Sequence, residues 1–446
     1  MNNYEFYDIA LNNISLFFYI LIFSFILHYF VFRSLVSSIM DPYLLAVVSS
    51  VFCLTDVFLL YFTGNITTYV FLSYVFTQCT FFIGFHLMRA RKAVFSSPPD
   101  NRMSYNKPRA KEIIAFYFFS IVYLVSQCAI YMLKGIPLFM ESRLETFASG
   151  GGTGILGRIC DVSSIFSLYA FFAVIKIDKF RLSEMPKYFI LCLIFVTFLL
   201  SGSKSSFLVI FYVFWCYIMF AKLKKLNYLT YIKLLKKNVK LIVITSLGVV
   251  SVIIFVQTKT QIENPEDRLN PLLGLCLRLV HSGDVYWYAY PNNVYLKIPA
   301  EHWFTALFND TLGLLRIKNW DELPEAIGIT FKNIHHPSDV PQGPNARHNI
   351  FGLIYYGFFG GIIFSFCLGL LLGFIRNIMP QLLSASMLGG FVFTYLINKS
   401  TSLDSDPMLT ITYFNNIIFV FPVLYFVYLI VVELFMINPI NNEVPA

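Results

Sequence analysis

Apolar residues in this chain gather in long runs. They recur near 14–32, 43–62, 66–88, 113–133, 155–175, 188–200, 205–221, 241–257, 350–375, 381–397 and 409–433. Most of these approach the roughly 20 residues that carry a helix across a hydrocarbon core of about 30 Å. The pattern predicts an all-α polytopic integral membrane protein with about eleven transmembrane helices, read as a single membrane domain over 1–446. The sixth run is short because Ser201-Gly202-Ser203-Lys204 interrupts it. A helix broken there needs its freed backbone groups satisfied by protein or by a water-filled cavity.

Two polar stretches stand apart from the short connectors. One is 134–154, KGIPLFMESRLETFASGGGTG; the other is 258–349, with eight basic and ten acidic residues. Loops of that length are usually functional. Within the second, 271–290 and 301–315 place apolar residues at helical spacing, which predicts two helices lying in the membrane interface with aromatic rings at headgroup depth. A large helical loop of this kind can cover an active site.

Charge sets the expected orientation. Segments 89–112, 176–187 and 222–240, with Arg33 and Arg376, hold 20 of the 33 Lys and Arg residues, and eleven spans put them all on one side. Basic residues are retained in the cytoplasm. The N-terminus, with Glu5 and Asp8 and no basic residue, is therefore expected outside, and the C-terminus inside. The first run lacks a basic leader and a small-residue cleavage site, so it reads as a retained helix. Topology accounts for most of the net charge of +8, and the lysines of 222–240 read as facing anionic membrane lipids, not nucleic acid. Charged residues make up 13% of the chain, against roughly 25% in a soluble domain. Seven of the eight cysteines fall in apolar runs, and His335-His336 lacks companions at ligand spacing, so no metal is expected.

Candidate chemistry clusters in the outer stretches. Arg278, His281 and Asp284 follow at i, i+3, i+6, so consecutive members are neighbours on a helix. They read either as a phosphate-binding guanidinium beside an imidazole steadied by a carboxylate, or as a solvated stripe paired within itself. Arg347-His348-Asn349 sits where the long loop meets an apolar run, at its expected water-facing lip. There the planar fork of Arg347 matches phosphate oxygens, and His348 titrates in the range of a general base. The plainer alternative is an arginine reaching headgroups beside a helix cap. Arg143 precedes Gly150-Gly151-Gly152-Thr153-Gly154, a run that admits close approach to an anion or serves as a hinge. Lys204 faces phosphate or simply reaches water. Arg158 and Asp161, three residues apart, are expected to pair.

Together these segments resemble the Wzy-type O-antigen polymerases and the related O-antigen ligases, bacterial inner-membrane glycosyltransferases. GIPLF at 135–139, with Arg143 and Gly154 separated by ten residues, resembles their first periplasmic element. SGSKSS at 201–206 resembles their Ser-Gly-Ser-Arg segment, with Lys204 where arginine is usual; lysine keeps the charge and loses the fork. RLVHSGD at 278–284 and His348-Asn349 before a glycine-dotted run resemble their loop sequences. The resemblance implies a GT-C-like fold, multi-pass with a periplasmic N-terminus, and 134–154 and 258–349 as periplasmic loops. It implies transfer of undecaprenyl-diphosphate-linked oligosaccharides without metal or other cofactor, and a chain-length-regulating co-polymerase as partner. Under it, His348 or His281 serves as base, Arg143, Arg278, Arg347 and Lys204 bind the diphosphate, and Asp284, Asn349 and Gly154 support them. An O-antigen ligase, and a lipid-linked oligosaccharide flippase or other transporter, are the alternatives.

Overall fold

The computed structural model describes residues 1–88, 110–140, 153–175, 182–202, 206–224, 248, 251, 277–338 and 342–437. Among them every regular element is helical. Eight segments are long and apolar enough to cross a membrane: Ile14–Phe32, Pro42–Phe62, Thr68–Leu87, Ala110–Phe139, Gly154–Val174, Ser206–Leu223, His348–Leu382 and Pro407–Met436. Met185–Leu200 and Met387–Lys399 are apolar but shorter. The run near 241–257 lies almost wholly outside the described residues.

Local chemistry sets several helix starts. Asp41 caps Pro42–Phe62 by accepting from the Tyr43 backbone N–H at 3.0 Å, and Asp406 caps Pro407–Asn415 through Leu409 N–H at 3.0 Å. Both put proline at the first helical position, where its missing N–H costs nothing.

The helices pack as two groups, joined by a third core in which Tyr43 and Phe85 meet Trp215, Phe220 and Phe393. Ile14–Phe32, Pro42–Phe62, Thr68–Leu87 and the segment from His348 share one core with residues 285–295. Ala110–Lys134, Thr153–Val174, Met185–Leu200, Ser206–Leu223, Met387–Lys399 and the C-terminal helix share another. Each is lined with interlocking rings, such as Phe166 against Phe391 at 4.4 Å.

The segment His348–Gly373 departs from the single span its hydropathy predicts. Gly357 has φ 68° and ψ −167°, and the chain reverses there. A Cβ on Gly352 would lie 2.9 Å from the Gly361 Cα, His348 Nδ1 lies 2.9 Å from Ser365 Oγ, and the rings of Phe351 and Phe364 are 5.3 Å apart. In a straight helix residues 348 and 365 would be about 25 Å apart. Residues 348–356 and 358–373 are therefore two limbs of a tight hairpin. The second limb, continued to 382 through a π-helical turn at Phe374–Ile378, still reaches about 37 Å and packs along Thr68–Leu87.

The long loop also differs from its expected form. Its first predicted helix is broken by a 3-10 turn at His281–Gly283, and Tyr286, Trp287 and Tyr290 beyond it are wholly buried. Residues 271–276 lie outside the described residues; 277–290 form a plug packed among helices, where an interfacial helix was expected, and its rings fill the first core instead of facing lipid. The second divides into Trp303–Leu307 and Asn309–Leu314, with Trp303 and Phe304 exposed and Leu312 buried.

Candidate functional site

Between the two helix groups lies a cavity of about 560 Å³. Pro42, Ala46 and Ser49 line it from one group, and Asp161, Ser164 and Val209 from the other. Arg278, His281, Asp284 and Arg347 from the long loop also line it. Two stretches of the long loop, 278–284 and Arg347, thus meet at one hollow.

Arg347 is held at three points. Its Nη1 donates to Asp404 Oδ2 at 2.9 Å, its Nε to the Ser282 carbonyl at 3.3 Å, and its Nη2 to Ser49 Oγ. Cys53 also donates to the Ser282 carbonyl, at 3.1 Å. Ser49, Cys53 and Asp56 lie along the middle of Pro42–Phe62, so the turn at 281–283 and the irregular residues 342–347 enter the bundle at mid-helix depth. Irregular backbone at such depth is tolerated where protein buries it or a cavity adjoins it. The expected position of Arg347 and His348 at a water-facing lip is overturned by these contacts.

His348 lies behind the cavity wall. It is fully buried, stacked on Phe81 with ring centroids 4.5 Å apart, and its Nε2 faces Asp404 Oδ1 at 3.6 Å, beyond hydrogen-bond range. Asp404 itself accepts from Arg347 through its other oxygen. Asn349 is closed by donating to Thr77 Oγ1 and Gln78 Oε1, at 3.0 and 3.1 Å, and accepting from Tyr286 at 2.8 Å.

His281 and Asp284 face the cavity itself. Burial, with Arg278 nearby, pushes the His281 imidazole down to about 4, so it is neutral at pH 7 and its 3.9 Å contact with Asp284 is not an ion pair. Burial pushes the Asp284 carboxyl up to about 7 against the opposing pull of Arg278. A carboxyl poised there can take up or release a proton near neutrality.

Arg158 and Asp161 do not pair with each other. Arg158 bonds Asp310 at 3.0 Å through Nη1, and Asp161 bonds Lys399. A π-helical turn at Asn416–Val420 gives both neighbours Asn415 and Asn416 a role, the first on Asp310 at 2.7 Å and the second on Asp161 at 3.0 Å. Gly154 sits exposed in the first turn of its helix and does not line the cavity. Arg143 and Lys204 lie outside the described residues.

Several site residues escape the sequence patterns considered above. Tyr7 bonds His281, and the helix Asn3–Asn12 is fastened by Phe6 stacked on Trp287 at 4.0 Å and by Asn3 accepting from Tyr288 at 2.8 Å. Asp404, Lys399 and Asp56 carried a usable signal, since an ion within or beside an apolar run is a functional candidate by default. Asp56 is wholly buried against Gly283 with neither carboxyl oxygen hydrogen-bonded. No family model, curated protein or solved structure matches this chain.

Proposed function

We propose that the protein is a membrane glycosyltransferase of the O-antigen polymerase kind, joining undecaprenyl-diphosphate-linked oligosaccharide units at the outer face of a bacterial inner membrane. The observation that carries this reading is the cavity between the helix groups, in which Arg278 and Arg347 share a wall with a carboxyl titrating at about 7. Two guanidinium groups suit a diphosphate, and the neighbouring carboxyl suits a hydroxyl that must lose its proton as it attacks.

In the proposed reaction the acceptor hydroxyl oxygen bonds to the anomeric carbon of the donor glycan as the bond from that carbon to the diphosphate breaks. The bonding pair leaves with undecaprenyl diphosphate, where Arg278 and Arg347 stabilise the added charge. Asp284 receives the hydroxyl proton. Attack from the face opposite the leaving group inverts the anomeric centre. His348, placed behind the wall beside Asp404, is not the base. His281, neutral and bonded to Tyr7, lies 3.9 Å from Asp284 and takes no proton in this scheme.

The test is reconstitution. Purified protein in liposomes, given lipid-linked repeat units, should yield a ladder of long glycans, and Asp284→Asn and Arg278→Ala should each leave single units. Long chains from both variants would remove these residues from the mechanism. In cells, loss of a polymerase leaves lipid A-core carrying one unit, whereas loss of a ligase leaves bare core.

The hairpin at Gly357 favours one further reading, since transporters place broken helices around a site at mid-membrane. Flux of labelled lipid-linked glycan across liposomes without any polymer would select it.

A further inference from the structure

Besides the arginines, the cavity is lined by a second set of polar residues that the reaction above leaves unused. This set is built by Asp161 and Ser164 from Thr153–Val174, by Asn398 and Lys399 at the end of Met387–Lys399, and by Thr401 after it. Asp161 is fixed by three donors: Tyr395 at 2.5 Å and Asn416 at 3.0 Å on Oδ2, and the Lys399 ammonium on Oδ1. The ammonium lies 4.0 Å above the ring of Tyr413. A carboxylate has about four lone-pair sites and an ammonium three protons, so Asp161 Oδ1 keeps one acceptor site and Lys399 keeps spare donors.

A purely bracing ion pair looks different in this same molecule. Arg376 and Asp41 bond through two arginine nitrogens and are 5% and 0% exposed. Lys399 and Asp161 are 20% and 18% exposed, and both border the cavity. Their charges cancel, and the adjacent Arg158 is balanced by Asp310. Such a wall offers phosphate no net attraction. It offers instead an acceptor next to a donor, a pairing that suits neighbouring hydroxyls on a sugar ring.

We propose that this wall is a carbohydrate subsite, in which Asp161 accepts from one hydroxyl of a neutral sugar and Lys399 donates to the next. It rests on the glycosyl-transfer reading, and on that reading it holds the acceptor glycan while the arginines hold the donor diphosphate. Asp161 and Lys399 would then bind and orient the incoming unit, a role separate from proton transfer.

The experiment measures binding of a phosphate-free glycan to the full chain in nanodiscs. The ligand used is the reducing oligosaccharide freed by mild acid from the polyprenyl-linked glycan of the same cells. Wild type should bind it, inorganic pyrophosphate should not displace it, and Lys399→Gln and Asp161→Asn should each weaken it at least tenfold. A Lys399→Met/Asp161→Asn double variant controls for folding, because it leaves no charge unpaired and keeps a side-chain oxygen to accept from Tyr395. The subsite requires that this variant keep its melting temperature and lose the glycan. No binding by wild type, or binding within twofold of wild type in the double variant, overturns the proposal. Failure of the transfer reading looks different: Lys399-dependent glycan binding without any polymer from lipid-linked units leaves the subsite standing and removes the reaction.

Discussion

Arg347 serves two purposes that a pair of variants can separate. Its guanidinium answers the buried Asp404, whose side chain is 2% exposed, and it also presents charge to the cavity. Arg347→Met leaves that carboxylate uncompensated and should cost about 3–5 kcal/mol, read as a lower melting temperature in detergent. Adding Asp404→Leu should restore most of the melting temperature and none of the polymerisation. Recovery of polymer in the double variant would make Arg347 purely structural. Asp284 sets the expected pH response. Its carboxyl sheds its proton above about 7, so the rate should rise with pH up to that value and level off beyond it. Below it the rate should fall about tenfold per pH unit, and Asp284→Asn should show a low, flat profile. His281, held near 4, stays neutral over that range and adds no second step.

Among the elements, the hairpin at Gly357 is the least expected. Its backbone angles fall where side chains are not accommodated, and Gly357→Ala should cost roughly 1–3 kcal/mol and loosen the limb that carries His348. The fold-back itself is testable by oxidation: a His348→Cys/Ser365→Cys variant, in a background stripped of exposed cysteines, should form an internal disulfide. A straight helix could not form it, because cysteines bridge only when their Cα atoms lie within about 7 Å. Hydropathy located the ends of most helices to within a few residues, because long apolar runs leave one choice for backbone hydrogen bonding. It could not reveal the reversal at Gly357, since both limbs are apolar and glycines at 352, 360 and 361 also fit helix packing. The Arg278–Asp284 cluster was legible by spacing, and Arg347 by its place where the long loop ends. The burial of His348 was not, because that depends on Phe81 and Ser365, which no local pattern links to it.

For the molecule as a whole, the two helix groups and the loop segment between them make one cavity from both ends of the chain. The basic connectors and the acidic N-terminus imply one orientation, and reporters can check it. Cysteines placed at the exposed Leu296 and Ile317 should react with an impermeant thiol reagent added outside intact spheroplasts, and a C-terminal fluorescent fusion should glow in the cytoplasm. Reaction only after the membrane is permeabilised would invert the orientation and move the cavity mouth with it.

The Arg347–Asp404 bond also bears on how the protein comes into being. Asp404 lies 57 residues beyond Arg347, after another apolar helix, so during synthesis the arginine enters a forming bundle long before its counter-ion leaves the ribosome. Chains cut short before residue 404 would carry a naked cation among apolar helices. They should be cleared by membrane proteases, so a truncation series should show a jump in abundance once Asp404 is included. A single ion pair would in this way act as a checkpoint on completeness.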